Sequence, residues 1–250
     1  MGLERSAGRR SQRPFWTLSL YPDAGEGGGC LRVAPRSRDG YGEPDPDRAR
    51  AEAGRRARAK VRRYVVANRL NRFVTLTYGG DGCFDPKVVR ADVGSFFKAL
   101  RPGLGGEAFP YAWSPEWHPG GHGLHVHFAV GRFVPQRLIR DTWARGIVHI
   151  KLIGDLPVGS GIVAEARRVA GYLCKYVGKE FDDERRPSGL HRYEVAQGFQ
   201  PQSVTYTGRT DDEVVEQASE QMGSAPGTVW RSSTVEGWHG PPAIWVAWDG

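Results

Sequence analysis

The clearest signal in the chain is a repeated change of hydrophobic period through its centre. RFVTLTY (72–78) is rich in β-branched and aromatic residues and runs into the turn signal GGDG at 79–82, so it reads as a strand. Asp85-Pro86 then has the form of an N-cap with Pro at the first helical position. It opens a helix through KVVRADVGSFFKAL that stops at Pro102-Gly103. Residues 109–117 (FPYAWSPEW) and 123–130 (GLHVHFAV) read as two strands around HPGGH, whose paired glycines suit a hairpin. PQRLIRDTWARG (135–146) follows as a helix ending in Gly, IVHIKLI (147–153) as a strand, and VAEARRVAGYLCKYVGKEF (163–181) as a long helix. The order βαββαβα predicts an α+β fold, a central antiparallel β-sheet with flanking helices.

The flanks differ from this centre. Residues 1–46 are rich in Gly, Pro and charge, with a short apolar run at Phe15 to Tyr21, and are expected to be mostly flexible. Residues 47–71 read as a basic helix, because the stretch 48–72 carries ten Lys/Arg against the single acid Glu52 and no Pro. That helix either contacts a phosphate backbone or is a solvated face in an Arg-biased protein. The main domain is expected to span 72–200. Residues 201–250 form an acidic extension in which TDDE (210–213) has the form of a capping box, starting a short helix to Met222. Four of the eight Trp (230, 238, 245, 248) crowd its end. They are expected to pack the tail onto the domain more readily than to stack on unpaired bases.

Composition narrows the class. The chain of 250 residues, 39% hydrophobic and 25% charged, has no apolar run approaching the roughly 20 residues that cross a bilayer. No membrane partner is expected. The N-terminal residues carry Arg without an apolar core, so no secretory signal is expected. Cys30, Cys83 and Cys174 lie far apart in an odd number without a CxxC pair, which predicts a reducing, cytoplasmic setting.

Two constellations carry candidate chemistry. His125 and His127 flank Val126 on a predicted strand, and the period of two sends both imidazoles to one face. Glu116 lies on the preceding strand, where folding of the hairpin can bring its carboxylate beside them. Two nitrogens and one oxygen leave metal positions open for substrate, as in a catalytic site. An isolated His-x-His more often simply faces solvent. His118 and His122 read as loop polars, and the absence of HExxH removes support for a zinc protease. In the long helix, Tyr172 and Tyr176 are four apart and share a face, with Lys175 and Lys179 repeating that spacing beside them. Only six of the 35 basic residues are Lys, and two fall here. An ammonium can ease formation of phenolate or hold a phosphate. Aromatic core packing with snorkelling lysines is the alternative.

FVTLTY, then Glu with His-Val-His, then Tyr-x-x-Lys-Tyr-x-x-Lys, in that order, resemble the HUH endonucleases, and within them the two-tyrosine rolling-circle replication initiators of bacterial plasmids and phages. The resemblance covers roughly residues 70–200, including HRYEVAQGF (191–199), which is similar to the segment that often follows the tyrosine helix. It implies a ferredoxin-like palm with FVTLTY as its central strand. It implies His125, His127 and Glu116 as ligands of Mg2+ or Mn2+. Imidazole ligands favour manganese at least as well as magnesium. It further implies Tyr172 and Tyr176 as nucleophiles with Lys175 and Lys179 as companions. The activity implied is nicking and rejoining of single-stranded or hairpin origin DNA through a 5′-phosphotyrosine. No GxxxxGK[ST] is present, so strand separation falls to a host helicase or to supercoiling. A conjugative relaxase or single-strand transposase, a non-catalytic single-strand-binding module and a structural metal-binding protein are the competing readings. Many relaxases place the nucleophile before the histidines, and one-tyrosine transposases lack the second Tyr-x-x-Lys.

Overall fold

The stretch 72–78 does form a strand, and the elements of its half of the molecule are arranged around it. The computed structural model describes residues 13–33, 45–151, 156–157, 159–182, 192–238 and 240–248, with side chains at 180–182 left aside. The elements run β1 (Phe15–Tyr21), β2 (Glu26–Arg32), α1 (Pro46–Ala67), β3 (Arg72–Tyr78), α2 (Pro86–Gly103), β4 (Tyr111–Trp117) and β5 (Leu124–Val130). They continue with α3 (Gln136–Trp143), β6 (Gly146–Lys151), α4 (Gly161–Asp182), β7 (Glu194–Val195), β8 (Val204–Gly208), α5 (Asp211–Met222), β9 (Thr228–Arg231) and β10 (Ala243–Ala247). The chain divides into two units, Pro44–Pro201 and Met1–Glu43 with Gln202–Gly250.

In the Pro44–Pro201 unit the expected βαββαβα order holds, and the sheet is antiparallel throughout with strand order β6-β3-β5-β4-β7. Its two faces follow from the period of two. Val74, Leu76, Val126, Phe128 and Val148 point into one core with Val93, Phe96, Phe97, Ile139 and Trp143 of α2 and α3. Aromatic rings fill that core edge to face, and Phe97 stacks on Tyr111 at 3.6 Å, each such pair adding about 0.5–1.5 kcal/mol to simple burial. The Asp85 side chain accepts from the Lys87 amide at 2.8 Å and caps α2.

The other face lies under α4, which packs on β4 and β5 and against α1. Ala57, Val61, Tyr64 and Val65 of α1 are buried, as are Ala166, Val169, Ala170, Leu173 and Val177 of α4, both sets at helical spacing. The tyrosines occupy the neighbouring stripe of α4 and so meet the sheet. The buried Tyr64 hydroxyl donates to the Ala196 carbonyl at 3.1 Å and ties the segment after α4 to α1. On the basic helix, Arg48, Arg50, Arg55, Arg56 and Lys60 stay exposed, with Arg55 and Arg56 both paired to Glu52.

The expectation for residues 1–46 and 201–250 needs correcting. Residues 15–32 are a β-hairpin, and it pairs with the C-terminal segment in a second antiparallel sheet of order β8-β1-β2-β10-β9. The glycines that resemble a linker are strand residues. A Cβ on Gly29 would come 1.9 Å from the Thr17 carbonyl oxygen, and one on Gly27 would press on Leu18 and Val246. Leu18, Leu20, Ile244, Val246 and Trp248 pack there against Val214 and Ala218 of α5. The tryptophan-rich tail therefore finds its partners in the N-terminal hairpin, and α5 begins where the capping box places it, with Thr210 Oγ1 accepting from the Glu213 amide. Residues 1–12 and 34–44 lie outside the described residues. Among the described residues, no helix is long and apolar enough to cross a membrane.

Candidate functional site

Register brings the candidate residues together. On adjacent strands Thr75 lies opposite His127 and His127 opposite Ser114, while Thr77 lies opposite His125 and His125 opposite Glu116. All six side chains share the face beneath α4.

His127 is 5% exposed and held from both ring nitrogens. Its Nε2 is 2.8 Å from Glu116 Oε2 and its Nδ1 is 3.0 Å from Thr75 Oγ1. Burial pushes the Glu116 carboxyl up, but hydrogen bonds from His127 and Lys179 outweigh it and hold the group below its ordinary range. An ionised carboxylate only accepts, so His127 donates through Nε2 and, when neutral, accepts at Nδ1 from the Thr75 hydroxyl. A hydroxyl can also accept, so the same threonine serves the opposite tautomer. His125 has the parallel arrangement, with Nδ1 3.3 Å from Thr77 Oγ1. Its Nε2 is buried without a hydrogen-bond partner. Burial, with the nearby His118 and His127, lowers its pKa from 6.5 to about 4, so the ring is neutral at ordinary pH. The His118 ring stacks on it at 4.4 Å.

The helix supplies the hydroxyls. Tyr176 lies flat on His127, ring centroids 3.7 Å apart and 14° from parallel. Phe73 stands among the rings, 5.7 Å from His127, 5.8 Å from Tyr172 and 6.0 Å from Tyr176. Lys179 donates to Glu116 Oε1 at 2.5 Å, and its Nζ is 5.6 Å from the Tyr176 ring centroid. That bond to Glu116 raises the Lys179 pKa. Burial and the Glu116 charge raise the Tyr176 phenol, against the pull of Lys179 and Lys151. A phenol so placed needs added positive charge to react at neutral pH.

Residues 71–181 match the family model Replication-associated protein ORF2/G2P. The matched segment runs from the start of β3 to the end of α4, a little under half of the chain, and contains Glu116, His125, His127, Tyr172, Lys175, Tyr176 and Lys179. No curated protein and no solved structure matches the chain.

Within the matched segment the structure unites Glu116, His127, Tyr176 and Lys179 in direct contact, with His125 beside them on the same strand face. Lys175 is exposed and, among the described residues, makes no polar or ring contact. Glu116 spends one carboxylate oxygen on His127 and the other on Lys179. Among the described residues, no three His, Cys, Asp or Glu side chains are gathered as a group that could hold a metal ion. Phe73, Thr75 and Thr77 went unassigned in the sequence, although their period of two within FVTLTY was the signal that they share the histidines' face. His118, expected to be a loop polar, has that role through the Gly120 amide, which donates to its Nδ1, and it also covers His125.

Proposed function

We propose that this protein is a replication initiator that nicks and rejoins single-stranded origin DNA, leaving a 5′-phosphotyrosine and a free 3′-OH from which rolling-circle synthesis starts. The observation that supports it most is the contact of a helix tyrosine, Tyr176, with a strand histidine, His127, that is bonded to Glu116 and through it to Lys179. Core packing alone does not require a carboxylate, an ammonium and two imidazoles beneath a pair of phenols.

Glu116, His125 and His127 are the residues that would hold Mg2+ or Mn2+. The donor types suit such an ion, since Nε2 of His125 is buried and unpartnered and threonine hydroxyls orient both Nδ1 atoms, the outer support that metal-ligating imidazoles commonly have; to bind it, Glu116 would exchange its bonds to His127 and Lys179 for the ion. When bound, the ion would act as a Lewis acid on the scissile phosphate. The protein's own residues do the rest. A phenol oxygen forms a bond to phosphorus as the bond from phosphorus to the 3′ oxygen breaks; the phenol loses its proton and the 3′ oxygen gains one. The ester is conserved in the phosphotyrosine, so rejoining needs no nucleotide cofactor. The exposed Arg48, Arg50 and Lys60 of α1 would contact phosphates without reading sequence, and a host helicase would open the duplex.

The test is covalent capture of single-stranded DNA with Mn2+ by the wild type, Tyr172→Phe, Tyr176→Phe and the double variant. The wild type should give a protein–DNA band that the double variant lacks. A band of undiminished intensity in the double variant, or in chelator, would overturn the proposal.

A further inference from the structure

Lysine is scarce in this arginine-rich chain, yet one lysine that no motif includes stands beside a tyrosine. Lys151 ends β6, lies opposite Phe73 in the register and so shares the face of Thr75, Thr77 and the histidines. Its Nζ is 4.2 Å from the centroid of the Tyr172 ring, closer than Lys179 is to Tyr176. The two ammonium groups differ in commitment. Lys179 is bound to Glu116, whereas Lys151 is exposed and, among the described residues, has no carboxylate partner. β6 is an edge strand, and Ile147 and His149 on the same face of it are exposed, which leaves a strip of open sheet leading to Tyr172.

We propose that Lys151 is the phosphate-holding cation for Tyr172, so that the two tyrosines are served from different elements, Tyr176 by Lys179 of its own helix and Tyr172 by the edge strand. This rests on the nicking activity proposed above. At Tyr172 the ammonium grips a non-bridging oxygen of the phosphate while the phenol oxygen bonds to phosphorus and the 3′ oxygen leaves. Lys151 carries no proton in the step. Lys175, three residues after Tyr172 in the helix, is equally exposed but, among the described residues, touches neither phenol ring. A compact, flexibly held ammonium suits a phosphate that must enter and leave, and arginine at the same place would supply charge with a different geometry.

The test measures single-turnover adduct formation on a labelled pool of random-sequence single-stranded DNA with Mn2+. Lys151→Met and Lys151→Arg are each placed in Tyr176→Phe, where only Tyr172 can react, and in Tyr172→Phe, where only Tyr176 can. Loss of one charge-assisted contact should slow the Tyr172 adduct by at least about tenfold. The Tyr176 adduct, which Lys151 reaches only through its charge and without a ring contact, should slow several-fold less, which also shows that the variant is folded, and Lys151→Arg should recover most of the rate. Equal slowing in both backgrounds, or none in either, overturns the role of Lys151 while leaving the nicking activity standing. A wild type that forms no adduct on the pool overturns both.

Discussion

The phenol ring of Tyr176 lies parallel to the imidazole of His127, 3.7 Å away, and both abut Phe73. The hydroxyl contributes nothing to that stack. Tyr176→Phe should therefore leave the unfolding free energy within about 0.5 kcal/mol of wild type while removing a nucleophile. Phe73→Ala, which empties a site 2% exposed among three rings, should cost about 3–5 kcal/mol. Urea denaturation of the two variants separates chemistry from packing, and a large loss in Tyr176→Phe would show that its hydroxyl is structural.

Thr75 and Thr77 hold the Nδ1 atoms of His127 and His125. Replacing both with Val keeps strand shape and removes the hydroxyls. Mn2+ affinity, read by titration calorimetry, should fall roughly 10–100-fold. Unchanged affinity would mean that the threonines do not orient the ligands.

Lys179 occupies with its ammonium one of the two carboxylate oxygens of Glu116, and its charge would oppose a cation there. Lys179→Met should bind Mn2+ more tightly than wild type and form adducts more slowly, opposite movements that a simple folding defect would not produce. Parallel titration and single-turnover assays check this.

The depressed pKa of His125 gives a pH dependence of known sign. Between pH 6.5 and about 4 the unfolded state binds a proton at this residue that the metal-free folded state resists. The contribution is full above pH 6.5 and is lost as pH falls toward 4. Glu116, whose carboxyl His127 and Lys179 hold below the usual glutamate range, adds its own loss at lower pH, since its stabilisation is present above that range and disappears as the carboxylate is protonated. Urea midpoints measured from neutral pH downward should fall more steeply for wild type than for His125→Gln. Parallel curves would refute the assignment.

Gly29→Ala should strain the second sheet, because the added methyl carbon falls 1.9 Å from the Thr17 carbonyl oxygen. A cost of about 1–3 kcal/mol is expected, with loss of hydrogen-exchange protection centred on β1 and β2.

How far the sequence reveals this molecule depends on the distance over which each signal acts. Period two in FVTLTY and LHVHFAV, the Asp85-Pro86 cap and the Tyr-x-x-Lys spacing are local, and they place the Pro44–Pro201 sheet and its helices, whereas the pairing of histidines with tyrosines is what the family resemblance implies. What lies across strands is not written locally. Nothing near Thr75 announces His127, and nothing near Tyr172 announces Lys151; only the register joins them. The glycines at 27–29 mislead for a related reason. Gly27 and Gly29 are small because Leu18, Val246 and the Thr17 carbonyl crowd them, and one of those contacts, Val246, comes from β10, whose place beside β2 the local pattern does not fix.

The pairing of β1 with β8 bears on how the chain is made. Ser19 and Thr205 face each other across that pair, 186 residues apart. On a ribosome, the first hairpin would emerge long before the strands that flank it, a two-stranded ribbon with both margins open and little stability of its own. The segment holding the tyrosines needs no late partner and can finish first. Translation thus delivers the chemistry before the second sheet, and that sheet closes only when the last strand has been synthesised.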